Sequence, residues 1–234
     1  MKKIIAATIS ILVSLCAPAA AREGFVTPEQ SRPLEILATP AAPGSKTSDA
    51  ELAELHRIEA ARTAEDIARA RADEENQTIF LFKTVFGDKF TKENLPSVDA
   101  LGARLKAEES ANTGPAKEAF HRVRPYNVDK TLHPVCRTKS KDDSYPSGHS
   151  TVGYLMGLAL IDLVPERRDD ILARADDYGR NRLVCGVHFA SDVAAARLVA
   201  YTVHAIMALD PDYQKAATAA RAELRNALGL ALAR

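Results

Sequence analysis

Ser147, Gly148 and His149 stand between Pro146 and the apolar run VGYLMGLALIDLV. In the plainer reading Ser147 caps a helix, Gly148 permits the turn, and His149 merely occupies the first turn. In the chemical reading, unsatisfied N–H groups at a helix start and a neighbouring imidazole form an anion site with a proton donor attached. Upstream, Lys117 and Arg124 are separated by six residues, and Pro125 follows. If one helix carries both, two turns bring Lys117 back to nearly the face of Arg124. The pair is then a solvated basic face or a two-cation clamp. Downstream, His188 and Asp192 are four positions apart, so on a helix they share a face. A carboxylate accepting from one ring nitrogen fixes the tautomer and frees the other nitrogen. That suits a nucleophile or base; the plainer alternative is a histidine satisfied by a local carboxylate. Arg182 and His188 would face apart on an unbroken helix. Gly186 offers the break, with Arg182 closing one helix and His188 opening the next.

Helices must position these groups. Residues 22–47, rich in Pro, Ala and small polar residues, read as an extended arm or a packed irregular segment without regular structure. Ser48 with Glu51 makes a capping-box pattern. It opens a helix over about 49–75, with Leu52, Leu55, Ile58 and Ala61 at helical spacing. Asn76 to Gly87 reads as a buried helix ended by Gly87. Helices are expected over 97–111 and 115–123, the second with Pro115 at its first position. Residues 124–146, with three prolines, form a long loop of the kind that carries function. Helices follow over 148–164, 166–185, 188–209 and 211–230, the last opened by Asp210-Pro211. No alternating strand pattern of useful length occurs. The expected fold is all-α, a single-domain multi-helix bundle with a long active-site loop.

Lys2 and Lys3, the run IIAATISILVSLCAP, and Ala19 to Ala21 read as a secretory signal peptide cleaved after Ala21. The run is too short for a stable span. Cys16 raises a lipoprotein alternative, but Leu15 stands where a small residue is wanted. The expected organisation is therefore leader 1–21, arm 22–47 and helical domain 48–234, with a periplasmic or secreted product. The chain has 31 basic and 31 acidic residues, and 29 against 31 once Lys2 and Lys3 are removed. That balance gives no nucleic-acid footprint. No later segment reaches about 18 uninterrupted apolar residues, so stable membrane insertion is not expected. Cys136 and Cys185 are the cysteines left in the mature chain. In an oxidising compartment they can pair; two buried thiols are the alternative, and spacing does not separate the two. No cluster has zinc-ligand spacing, so no metal or other cofactor is expected. A homodimer stays open. His56 and His121 read as solvated, His133 as a loop residue, and His204 as a satisfied core residue. Phe80, Phe82, Tyr126 and Tyr154 could line a substrate entrance, although core packing accounts for most of them.

Taken together and in order, Lys117 with Arg124-Pro125, then Pro146-Ser147-Gly148-His149, then Arg182, His188 and Asp192 resemble the three-part signature of the type 2 phosphatidic-acid phosphatase superfamily, shared with vanadium-dependent haloperoxidases. Within it, the signal-bearing, all-α chain resembles the bacterial class A non-specific acid phosphatases, SYPSGHST and RLVCGVHFASDVAAAR being especially close. The resemblance is strong over 117–209 and weaker over 40–116. It implies metal-independent hydrolysis of a broad range of phosphate monoesters (nucleotides, sugar phosphates, aryl phosphates) through a phosphohistidine. It implies His188 as nucleophile, Asp192 as its orienter, and His149 as acid and then base. Lys117, Arg124, Arg182, Ser147 and the N–H groups near Gly148 would bind phosphate. Asn181 departs from the family's usual serine and leaves the fine positioning of Arg182 open. The alternatives are a vanadate-dependent haloperoxidase, with His188 as the vanadate ligand, and a non-catalytic periplasmic protein that binds phosphate or phosphoesters.

Overall fold

Apolar residues recur every three or four positions along most of this chain, and the backbone closes helices around them. The computed structural model describes residues 24–138 and 140–231, and no strand occurs among them. The expected leader lies outside the described residues. The helices are α1 (Pro28–Ser31), α2 (Pro33–Ile36), α3 (Lys46–Ala61), α4 (Ala64–Glu75), α5 (Lys83–Phe86), α6 (Pro96–Phe120), α7 (Pro125–Val128), α8 (Gly148–Leu163), α9 (Arg168–Val184), α10 (Ala190–Met207) and α11 (Pro211–Ala227). Short 3-10 turns, Ile79–Phe82 and Pro165–Arg167, lead into α5 and α9.

α8 is the axis. Val152, Leu155, Met156, Ala159, Leu160 and Leu163 are fully buried along one face, and Thr151, Gly153, Tyr154 and Gly157 are buried on the others, as befits a helix enclosed on all sides. It packs against α6, α9, α10 and α11. Two glycines set its distance from α9. A Cβ at Gly153 would stand 2.5 Å from Tyr178 Cδ1, and one at Gly157 would press on Phe82 and Ala175. This approach brings the first turn of α8 and the last turn of α9 into one region, which is where the site forms.

Several elements depart from the sequence expectation, each for a local reason. The stretch 49–75 is two helices, because Thr63 caps α4: its Oγ1 accepts from Asp66 N at 3.1 Å, and Asp66 Oδ2 accepts from Thr63 N at 2.9 Å. The cap of α3 is Ser45, which accepts from Ser48 N, so Ser48 lies inside the helix. The apolar stretch 76–87 holds a 3-10 turn and one helical turn instead of a single helix. Residues 97–111 and 115–123 are not two helices. α6 runs through Pro115 because Leu101, Leu105, Glu108, Asn112, Thr113 and Ala116 form one unbroken buried stripe. Tertiary burial there overrides a lost backbone hydrogen bond.

The stretch from 24 to 45 is not without regular structure. Pro28 and Pro33 each start a helical turn, and Phe25, Val26 and Leu37 are buried. Glu108, fully buried on α6, accepts from the backbone N–H groups of Phe25 and Val26, and Asn112 Nδ2 donates to it at 2.9 Å. The loop 124–146 begins with α7 and is tied to the end of α9 by a Cys136–Cys185 disulfide, with Cα atoms 5.1 Å apart. The pairing left open by the sequence is thus made, and it packs against Ala70 of α4. No single helix among the described residues is long and apolar enough to cross a membrane.

The glycine packing gives a test in which two effects oppose. Helix propensity alone favours Gly153→Ala by about 1 kcal/mol, whereas overpacking costs about 1–3 kcal/mol. With Tyr178 fixed in the core, the variant should unfold at lower denaturant. A rise in its midpoint would show that the α8–α9 contact is loose.

Candidate active site

Asp192 is the third residue of α10, and Phe189 caps that helix. Its Oδ2 accepts from Phe189 N at 2.9 Å, from His188 Nδ1 at 3.2 Å and from Ser144 Oγ at 2.5 Å, while Oδ1 accepts from Arg122 NH1 at 2.5 Å. His188 therefore lies ahead of the helix, not on one of its faces; the pair meets through a helix cap. The structure also determines the tautomer. Arg124 NH1 is 2.7 Å from His188 Nε2, and a guanidinium can only donate. Nε2 is then the acceptor, and Nδ1 carries the hydrogen given to Asp192. His188 is buried, at 1% exposed. Burial, then the charges of Arg124, Arg182 and Lys117, hold its pKa well below the usual histidine value. Burial pushes Asp192 up to about 6, although Arg122 and its other donors work in the opposite sense.

The cations reach this ring from three elements. α6 ends at Phe120, and His121 turns left-handed (φ 45°), so Arg124 is not on the helix of Lys117; it caps α7 from an extended segment. The two meet instead across Asp143. Lys117 Nζ donates to the Asp143 carbonyl at 3.0 Å, and Arg124 Nε donates to Asp143 Oδ1 at 2.8 Å. Burial and the charge of Arg124 depress the ammonium of Lys117. Arg182, in the last turn of α9 as expected, is 3% exposed. One NH2 contact reaches Glu74 Oε1 at 3.5 Å, and its buried Nε has no hydrogen-bond partner among the described residues. A buried guanidinium left partly unsatisfied is costly, and an oxyanion is the complementary acceptor.

Ser147 caps α8, its Oγ accepting from Ser150 N at 3.4 Å, and its own N–H donates to the Asp192 carbonyl at 3.1 Å. That bond pins the turn to α10. The first intrahelical bond of α8 is made by Thr151 N, to Ser147 O, so the N–H groups of Gly148 and His149 precede it. A side chain at Gly148 would overlap the Glu109 carboxylate of α6. His149 Nε2 donates to the Glu74 carbonyl at 3.2 Å. Burial and then Arg182 push its pKa down to about 3.

The residues singled out in sequence thus gather around one imidazole, with partners that spacing did not reveal. Arg122, two positions before Arg124, reads in sequence as one more basic residue. Here it is clamped between Asp192 and Glu51, whose Oε2 accepts from NH2 at 2.7 Å, and it stacks 4.1 Å above the Phe189 ring. Glu74 carries no sequence signal, since its roles depend on where α4 crosses α9. Asn181, at the departure from the family pattern, donates to Asp73 at 2.8 Å; Asp73 also pairs with Arg174, so this contact fastens α9 to α4. His56, His133 and His204 pair with Asp129, Glu59 and Asp162 away from the site. Exposed His121 faces Asp142 at 3.4 Å. Phe82, Tyr126 and Tyr154 are buried.

Residues 106–216 match the model of the PAP2 superfamily. The chain is 36% identical over 141 residues to a non-specific acid phosphatase of Providencia stuartii, covering 57% of this chain and 56% of that protein. It is 38% identical over 138 residues to an acid phosphatase of Zymomonas mobilis (57% and 52% covered), and 34% over 152 to a non-specific acid phosphatase of Salmonella typhi (62% and 60%). The matches span a little over half the length of these relatives. The fold is similar to that of a transmembrane PAP2 type phosphatidylglycerolphosphate phosphatase from Bacillus subtilis, with a TM-score of 0.54, 18% identity, and 78% of this chain and 94% of that one covered. Residues 106–216 are thus similar to the PAP2 superfamily, and the fold around them is similar to that of one of its solved members.

Two outcomes follow from this geometry. Arg122→Ala leaves the buried Asp192 carboxylate without its cation and should cost about 3–5 kcal/mol in denaturant unfolding. Arg122→Lys keeps the charge without the fork and should recover only part of that; a neutral Arg122→Ala would remove the pair from the account. The second outcome concerns pH. Between about 3 and the ordinary value of 6.5, His149 binds a proton in the unfolded chain but not in the folded one, so its contribution to stability falls as pH falls through that window. Asp192, raised to about 6, acts in the opposite sense. His149→Gln should therefore flatten the loss of melting temperature between pH 6.5 and pH 4. An unchanged slope would mean that the folded ring already carries its proton.

Proposed function

From the match of residues 106–216 to the PAP2 superfamily, we propose that this protein is an exported acid phosphatase that hydrolyses phosphate monoesters through a phosphohistidine. The observation that carries the reading is the His188 ring, neutral, with Nδ1 held by Asp192 and its Nε2 lone pair turned to Arg124. An imidazole kept unprotonated by burial and by cations remains nucleophilic at mildly acid pH, where a free histidine would be charged.

In this reading the phosphoryl oxygens take the donors of Arg124, Arg182 and Lys117, and the N–H groups at the start of α8. Phosphoryl transfer asks mainly for positioning and charge neutralisation, and three fixed cations supply both without a metal. Arg124 NH1 turns from His188 Nε2 to a phosphoryl oxygen, and the freed Nε2 lone pair attacks phosphorus as the bond to the leaving oxygen breaks. Asp192 stabilises the ring as it becomes cationic. His149 gives its proton to the leaving oxygen. A ring whose pKa is pushed to about 3 needs an anion beside it to hold that proton, and the phosphoryl group bound against Arg182 provides one. Protonated, the ring donates at both nitrogens, so the Glu74 carbonyl keeps one and the leaving oxygen receives the other. In the second half His149 takes a proton from water, the water oxygen bonds to phosphorus, and the N–P bond breaks. Export rests on the leader read in residues 1–21.

Leaving-group dependence separates the two histidines. His188→Asn should abolish turnover of every ester. A nucleoside alkoxide needs the proton and p-nitrophenolate does not, and general acid catalysis is worth about 10²–10⁴-fold. His149→Asn should accordingly lose far more rate with a nucleotide than with p-nitrophenyl phosphate. With the aryl ester it should show a burst and accumulate acid-labile phosphate on His188. Equal losses on both substrates without a burst would reduce His149 to a binding role, and turnover surviving in His188→Asn would end the phosphohistidine scheme.

A further inference from the structure

Arg124 spends its two ends differently. NH1 donates to the Val187 carbonyl at 3.0 Å and to His188 Nε2 at 2.7 Å. The other edge, Nε with NH2, is the fork that grips an oxyanion through two parallel bonds. Asp143 holds that edge: Oδ1 accepts from Nε at 2.8 Å, and its carbonyl accepts from NH2 at 3.4 Å. The same carbonyl takes Lys117 Nζ at 3.0 Å. One residue therefore engages two of the three cations assigned to phosphate. Its side chain is held by Arg124 and by a hydrogen bond with Ser140, but it is more open than the other carboxylates of this cluster. Asp143 is 42% exposed, against 0% for Asp192 and 10% for Glu74. The carboxylate can turn into water; those of Asp192 and Glu74 cannot without breaking the core.

We propose that Asp143 is a resident competitor for the phosphate site, an internal carboxylate that must leave the Arg124 fork before phosphate takes it and that returns as phosphate departs. This rests on the phosphatase reading and adds a determinant of affinity to it. The residue weakens the hold on free phosphate, so product does not accumulate on the enzyme. If Asp143 occupies the fork nine-tenths of the time, apparent affinity is lower by about tenfold than at a permanently open fork. Asp142 provides the control. It carries the same charge one position away, but it faces His121 at 3.4 Å and makes no bond to Arg124.

The probe is inorganic phosphate, measured by calorimetry and as an inhibitor of p-nitrophenyl phosphate hydrolysis. Asp143→Asn, which keeps the shape, and Asp143→Ala, which removes the group, should both bind phosphate about tenfold more tightly, with KM falling in parallel. Asp142→Asn should bind it as the wild type does. Phosphate bound equally or more weakly by both Asp143 variants would overturn the proposal and make Asp143 a residue that positions Arg124. Equal tightening in Asp142→Asn would overturn it in favour of a general field effect. If the wild type binds phosphate and turns over ester while Asp143→Asn fails to tighten, this inference alone fails. A wild type that does neither defeats the phosphatase reading and this inference together.

Discussion

A single carboxylate with no access to water organises this molecule. Asp192 is fully buried, and a charge in that position is tolerated only when it is hydrogen-bonded and paired. Its four donors come from three pieces of chain: the segment after α6 (Arg122), the long loop (Ser144), and the two residues just ahead of α10 (His188 and Phe189). Its backbone carbonyl takes the N–H of Ser147. Satisfying one buried group thereby draws the three sequence blocks together. The imidazole is oriented as one member of that set.

The second constraint is the concentration of positive charge. Arg122, Arg124 and Arg182 are all buried, and each faces a carboxylate: Glu51 and Asp192, Asp143, and Glu74 in turn. These pairings differ in kind. Glu51 and Asp192 lock Arg122 on both sides, so it acts through Asp192. Glu74 reaches Arg182 at 3.5 Å and leaves its Nε unsatisfied. The guanidinium with spare donors and the imidazole of His149, whose partner is the Glu74 carbonyl, are thus held by the same turn of α4.

Much of this was legible in the chain because its signals are local. α8 to α11 follow from apolar runs bounded by Ser147, Gly186 and Asp210-Pro211, and their residue types mark the chemistry-bearing positions. What stayed hidden depends on tertiary placement. Pro115 reads as a helix start, yet a buried stripe carries α6 through it. Lys117 and Arg124 read as one helical face, yet His121 ends the helix between them and Asp143 rejoins them. Glu74 and Arg122 look like ordinary surface charges in a chain rich in such residues, and Glu51 reads as half of a capping box. Only the crossing of α3 and α4 over the His188 end shows what they hold.

α6 carries two neighbouring carboxylates with separate duties. Glu108 grips the backbone at Phe25 and Val26, while Glu109 lies beneath Gly148, held by Lys106 at 2.9 Å and Thr113 at 3.0 Å. Consecutive helical residues point about 100° apart, so one rigid rod clamps the earliest described residues and the Gly148 turn at once. For anyone building variants of this protein, Phe25 and Val26 are structural parts. An affinity tag fused close to Gly24, or a trimmed start that omits Phe25, would pull on the same rod that seats the His149 turn.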